Sequence, residues 1–223
     1  RLEVSSLIQQ LKGALSHRNR FARVGAAEVL GIVDKEGSTV EALIVNLGDD
    51  DGLVRMSAAK ALASIGVRIG DSLDLRALKE GLRKGNMQTR YNMVQIFKGL
   101  MHPKTVDVLI KTLEDEEPEI AALAVEDLVR IGLSMQDKPG LIGQLVEAFS
   151  KGEGVVRQRV AEIFEGLALA GVELKANSEF LKDLLTDSDS YVQARAAVAL
   201  GVIGDRSSIP NIKKLLANEW EEV

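Results

Sequence analysis

The chain has no cysteine, only two histidines, four prolines and one tryptophan, and aromatic residues fill just 4% of its 223 positions. Each shortage removes a class of chemistry. Without cysteine there is no disulfide, no thiolate metal site and no thiol nucleophile. The histidines, His17 and His102, are followed by Arg18 and Pro103, and two imidazoles are too few for a multi-ligand metal centre. Scarce proline and aromatics speak against a sandwich or barrel and for helices packed through Ala, Leu and Val. The formal charge is −5, so the chain as a whole lacks the basic excess of a phosphate-binding surface, which argues against nucleic acid. No apolar run approaches the roughly 18 residues of a bilayer span, and no signal-peptide pattern opens the sequence. The expectation is a soluble, cytoplasmic protein with no membrane partner. The sequence starts at Arg1 rather than Met, as a segment of a longer chain would. It also has no Walker loop, no Gly-x-Ser-x-Gly and no glycine-rich phosphate cradle, so neither a cofactor nor a catalytic residue is predicted.

What is present is a repeated pattern within a composition that is 46% hydrophobic and 27% charged. The stretch from Leu43 to Leu47, the acidic turn Gly48-Asp-Asp-Asp-Gly52, and the stretch from Val54 to Gly66 read as two amphipathic helices joined by a tight turn. Equivalent anchors for the second helix fall at Arg23, Arg55, Arg90, Ala121, Arg157 and Gln193, in steps of 32, 35, 31, 36 and 36 residues. Twelve residues before each anchor stands a leucine: Leu11, Leu43, Leu78, Leu109, Leu145 and Leu181. Seven after each stand Leu30, Leu62, Phe97, Leu128, Phe164 and Leu200, and the positions three and four after are mostly small. One hairpin of this kind cannot bury its apolar side alone, so copies must stack.

The predicted fold is therefore all-α, an α-α superhelix of about six hairpins closed by a C-terminal capping helix. The hairpins are expected near 2–34, 38–66, 73–101, 104–133, 139–170 and 177–204, with the cap near 208–218, in a single solenoid over 1–223. Larger residues at Met93, Phe97, Val160 and Phe164 predict wider helix spacing or a local change of curvature in repeats three and five. Gly66, Gly132 and Gly204 are expected to cap the C-termini of second helices, and Pro103 to open a first helix.

The signature Leu-x-x-x-Leu, an Asp two residues on, then Val-Arg-x-x-Ala-Ala-x-x-Leu-x-x-Ile-Gly, resembles the HEAT repeats, especially the short PBS-lyase-like subgroup. The resemblance runs over roughly residues 2–217. It implies a scaffold, adaptor or regulatory subunit more often than an enzyme. HEAT-like hydroxylases hold two irons with paired His-Glu dipeptides, which this chain lacks. HEAT-like DNA glycosylases grip the duplex with a basic, aromatic groove, whereas here Trp220, Tyr91 and Tyr191 are isolated. Glu162 and Glu165, three apart on one helix, read as a solvated face rather than an acid/base pair.

Two sets of residues then carry the functional expectation. On the second helices, positions two, five and nine after the anchor line up as a concave strip that includes Lys60, Asn92, Gln95, Glu126, Arg130, Arg159, Glu162 and Arg195, with Glu28, Ser57, Leu123 and Val198 beside them. A protein or peptide partner is expected there. The alternative is an accessory or catalytic subunit of a small-molecule modifying enzyme, with a pocket near repeats three to five. Arg23, Arg55, Arg90 and Arg157 stand beside turns carrying Asp49, Asp115 and Asp187, and in this family such pairs resemble an Asp–Arg ladder between successive repeats. The turns also alternate in charge, with acidic 49–51, 114–117 and 187/189 set against basic His17–Arg20, Arg83-Lys84 and Lys151.

Overall fold

A computed structural model of the chain describes residues 2–69, 75–100, 105–135 and 138–220. Among these the regular structure is helical throughout, with no strand. The contacts divide the chain into two compact units, Arg1–Val108 and Leu109–Val223, each built from antiparallel helix pairs.

In the first unit, α1 (Leu2–Ala14) pairs with α2 (Arg20–Val33), α3 (Val40–Asn46) with α4 (Gly52–Ile69), and α5 (Leu75–Lys84) with α6 (Met87–Leu100). The second helices α2, α4 and α6 pack on one another in order. Their inward positions are Ala26, Ala27 and Leu30, then Ala58, Leu62 and Ile65, then Met93, Val94 and Phe97, all buried. Met93 stands where four of the other five repeats carry alanine. Opposite it lies Gly81 of α5, where an added Cβ would sit 2.7 Å from the Met93 sulfur and 2.8 Å from Ile44. A missing side chain on the first helix makes room for the large one on the second.

In the second unit, α7 (Val106–Thr112), whose first residues belong to the first unit, precedes α8 (Pro118–Ser134). The pairs α9 (Lys138–Lys151) with α10 (Gly154–Leu169) and α11 (Ser178–Leu184) with α12 (Ser190–Val202) follow, and α13 (Ile209–Trp220) ends the described chain. Here α8, α10 and α12 form the continuous layer. Phe164, fully buried, closes against Phe180 with ring centroids 5.2 Å apart, and Phe180 meets Phe149 edge-on at 5.5 Å. An aromatic cluster thus fills the volume around repeat five.

Helix starts follow from side-chain caps. Asn19, Asp51 and Asp189 accept the backbone N–H of Phe21, Leu53 and Tyr191 at 2.8–2.9 Å, and Pro118 opens α8, where its missing N–H costs nothing. The ends differ from expectation. Only Gly204 of the three expected caps takes a left-handed backbone, at φ +69°. Gly66 and Gly132 lie inside α4 and α8, which run on to Ile69 and Ser134. At Gly132 a Cβ would meet Leu167 at 2.5 Å, so that glycine serves close packing rather than chain reversal. His102 and Pro103, and the side chain of Leu100, lie outside the described residues.

The connection from α2 to α3 is held by one buried carboxylate. Asp34 Oδ1 accepts the N–H groups of Glu36, Gly37 and Ser38 and the Ser38 hydroxyl, while Oδ2 accepts Thr39 N–H at 2.8 Å and its hydroxyl at 2.6 Å. Burial by itself would raise this carboxyl, but the donors from Thr39, Ser38 and Glu36 outweigh it and hold the pKa below its ordinary value.

Two measurements check these assignments. Leu145→Ala, at a fully buried position, should cost about 2–5 kcal/mol in denaturant unfolding, whereas Leu169→Ala, at a residue 63% exposed, should stay within about 0.5 kcal/mol of the parent. Asp34→Asn should cost about 1–3 kcal/mol at neutral pH by breaking the donor set. Because the folded-state pKa of Asp34 is depressed, the stability it contributes is complete above the ordinary carboxylate pKa of about 4 and is lost as pH falls through the folded value. The gap between parent and variant should therefore close in acid.

Candidate functional site

The anchor arginines face two ways. Three of the four reach back over their own hairpin turns: Arg23 Nη1 donates to the carbonyls of His17 and Arg18, Arg55 Nη1 to those of Asp49 and Asp50, and Arg90 Nη1 to that of Gly85. Gln193 does the same with an amide, donating to the Asp187 carbonyl at 2.6 Å. A chain reversal leaves carbonyls pointing outward, and a fixed donor on the following helix satisfies them.

Where the next repeat supplies an aspartate, the same guanidinium also bridges forward. Arg23 places Nε 2.8 Å from Asp49 Oδ2 and donates from Nη2 to Oδ1 at 2.8 Å. Arg157 places Nε 3.3 Å from Asp187 Oδ2. Asp49, Asp115 and Asp187 each accept the N–H two residues on, from Asp51, Glu117 and Asp189, so one carboxylate shapes its own turn and can meet the repeat before. Beyond Arg55 the following turn reads Arg83-Lys84-Gly85-Asn86 and offers no carboxylate at that place.

The alternating turn charges meet only in part. Arg20 of the first turn pairs with Asp51 of the second at 2.9 Å. Arg83 and Lys84 instead close on Glu80 of their own helix, and Lys151 on Glu147 of its own. Partners one helical turn away need less chain ordering than partners one repeat away, and the local pairs win. Glu80 feels this: hydrogen bonds from Arg83 and then Lys84 lower its pKa to about 2.

The second-helix strip divides along its length. Residues two positions after the anchor turn inward to the preceding repeat. Asn92 donates to the Leu47 carbonyl at 3.0 Å, Arg159 Nη1 to the Leu113 carbonyl, and Arg195 pairs with Glu165 at 2.7 Å. Ser57, expected at the surface, is buried and donates to Glu28. Asn46 meets the same need from a first helix, donating to the Leu15 carbonyl at 2.9 Å. Leu15, Leu47 and Leu113 follow the last residues of their first helices, whose carbonyls lack intrahelical partners. Glu165, expected on a solvated face, is buried against Arg195, whose guanidinium also stacks 4.5 Å from the Tyr191 ring centroid. Burial of Arg159 lowers its pKa against the pull of Asp115 and Glu162.

Residues five positions after the anchor remain outward. Glu28, Lys60, Glu126 and Val198 are exposed, and Gln95 and Glu162 are half-buried. Arg130 lies 3.7 Å from the nearly buried Asp127 on its own helix. Sequence spacing placed all of these on one face but could not separate inward from outward, because that choice depends on which carbonyl of the neighbouring repeat lies within reach. Away from the strip, a groove of about 800 Å³ lies between α3 and α5, lined by Ile44, Val45 and Gly81 with Glu41, Arg76 and Lys84 at its rim. It joins repeats two and three. No group of three or more His, Asp or Glu side chains that could hold a metal occurs among the described residues. No described helix is long and apolar enough to cross a membrane.

The sequence model for HEAT repeats matches residues 4–88, and that for the PBS lyase HEAT-like repeat matches residues 192–218. The chain is a HEAT-repeat protein. Among solved structures, this HEAT array is similar to an engineered protein at 21% identity and TM-score 0.43, covering 88% of this chain and 96% of that one. It is likewise similar to a designed armadillo repeat protein at 16% identity and TM-score 0.44, covering 87% and 98%. No curated protein matches the HEAT array in sequence.

The two-way arginine has a measurable signature. Burial would raise Asp49, but the hydrogen bond from Arg23 and the N–H of Asp51 hold its pKa below the ordinary value. Arg23→Ala should therefore lower the thermal midpoint at neutral pH, where Asp49 is ionised in both folded and unfolded chains. The part of the deficit owed to Asp49 should fade as pH falls through the depressed folded-state pKa, leaving the part owed to the His17 and Arg18 carbonyls. Arg55→Ala removes only bonds to carbonyls, and its deficit should stay constant over the same range.

Proposed function

We propose that the chain is a non-enzymatic binding module that docks a protein or peptide partner on the strip of second helices within each of its two units. The observation that carries this reading is the division just described. Along one helical face, alternate positions are spent on the neighbouring repeat, while Lys60, Gln95, Glu126, Glu162 and Val198 keep side chains that no internal need fixes outward. Asn92, Arg159 and Arg195 are already engaged by the preceding repeat, so a partner meets a face whose inward positions are held in place and orders little of the protein on binding. Solenoids offer this extended face by construction, and it suits a segment laid across several helices better than a compact ligand. The ladder residues Arg23, Arg55, Arg90, Arg157, Asp49, Asp115 and Asp187 are assigned to stability and not to the partner.

Panning a random dodecapeptide display library on the chain tests the reading. Enriched peptides should lose affinity for Lys60→Glu/Gln95→Ala or for Glu126→Ala/Val198→Ser, while keeping it for Val45→Ser, which alters the first-helix groove. Peptides indifferent to both strip variants and sensitive to Val45→Ser would overturn it.

A further inference from the structure

The second-helix layer of the Leu109–Val223 unit is chemically lopsided. Its arginines are turned inward: Arg159 to the Leu113 carbonyl, Arg195 to Glu165, and Arg130 toward Asp127. Arg195 and Arg130 face carboxylates, and Arg159 spends its donor on a backbone carbonyl. Among the glutamates of the same face, Glu162 acts on Arg159 through its charge. Glu119 and Glu126 are exposed and Glu162 is half-buried. Among them stand apolar side chains that water reaches, Val198 at 42% exposure and Val202 at 46%. The outward surface is therefore acidic with an apolar end, although the residue types in the strip read as mixed in sign.

Glu126, Glu162 and Val198 occupy the same position on α8, α10 and α12, five residues after each anchor, and these helices pack side by side. Packed helices lie about 8–10 Å apart. A polyproline-II segment repeats its side chains on one face every third residue, at about 9 Å. We infer that this face binds an extended basic segment of a partner protein, with cationic residues three apart over Glu126 and Glu162 and an apolar residue three further on against Val198. The inference rests on the binding-module reading and names the partner's chemistry at that site. Charge complementarity selects the sign of the segment, and helix spacing selects its period.

The probe is a labelled Lys-Pro-Pro-Lys-Pro-Pro-Leu-Pro-Pro peptide, titrated with the full chain by fluorescence anisotropy beside its Glu-for-Lys and Ser-for-Leu counterparts. The lysine peptide should bind, and the glutamate peptide should bind about tenfold or more weakly, with the difference shrinking at high salt. Glu126→Lys/Glu162→Lys should reverse the preference, and Glu126→Gln/Glu162→Gln should abolish it. Val198→Ser should weaken the leucine peptide but not the serine one. Glu147→Lys/Glu179→Lys, at exposed glutamates on the first helices α9 and α11, should leave affinity unchanged. Circular dichroism confirms that each variant stays helical, and the single variant Glu126→Lys serves if the double one does not fold. Equal binding of both charge forms, with Val198→Ser still weakening them, would overturn the basic partner while leaving the strip as a docking face. Binding of the lysine peptide that responds only to Glu147→Lys/Glu179→Lys would overturn both. An undetectable lysine peptide would overturn the inference alone, provided that library peptides still map to the strip.

Discussion

Every hairpin in this chain has an apolar side wider than its own partner helix can cover, and the need to hide that side from water decides the rest. Leu30, Leu62, Phe97, Leu128, Phe164 and Leu200 hold the same place on successive second helices, and none is more than 4% exposed. At about 25 cal/mol per Å² of apolar surface, such side chains dominate the favourable side of folding. The polar structure is subordinate. Side-chain caps, the Asp34 connection and the arginines over the turns exist because stacking leaves backbone groups at each reversal without partners, and a buried unsatisfied group costs more than a made bond returns.

The repeat, its helix pairing and the buried face were legible in the sequence because all three depend on spacing along one chain. The leucines twelve before each anchor, Leu43, Leu78, Leu109, Leu145 and Leu181, are buried, and Leu11 is half-buried. Spacing could not show what lies opposite. Met93 reads as a bulge until Gly81 is placed against it, and Gly132 reads as a helix stop until Leu167 is found in the way. Glu165 reads as solvated until Arg195 arrives from thirty residues on. The first is a fact about the two helices of one hairpin and the others about two repeats at once, and periodicity describes one helix at a time.

The candidate site has the same limit. Its face could be drawn from offsets, yet Asn92, Arg159 and Arg195 on it answer to a carbonyl or carboxylate of the preceding repeat. Arginine is the residue most often enlisted because one guanidinium can satisfy a carbonyl and a carboxylate together. That economy alters the surface of the Leu109–Val223 unit, where Arg159 and Arg195 are engaged within the fold while Glu126 is exposed; in the other unit Lys60 is exposed.

The bonds to first-helix carbonyls all run one way along the chain. Leu15 waits for Asn46, 31 residues later, Leu47 for Asn92, 45 later, and Leu113 for Arg159, 46 later. A ribosome delivers the acceptor first and the donor only after a further hairpin or more. Each repeat thus leaves the exit tunnel with an end still open to water, and its successor seals it. Completion travels behind synthesis by about one unit, and a nascent chain halted midway always exposes its last-made hairpin as the unfinished one.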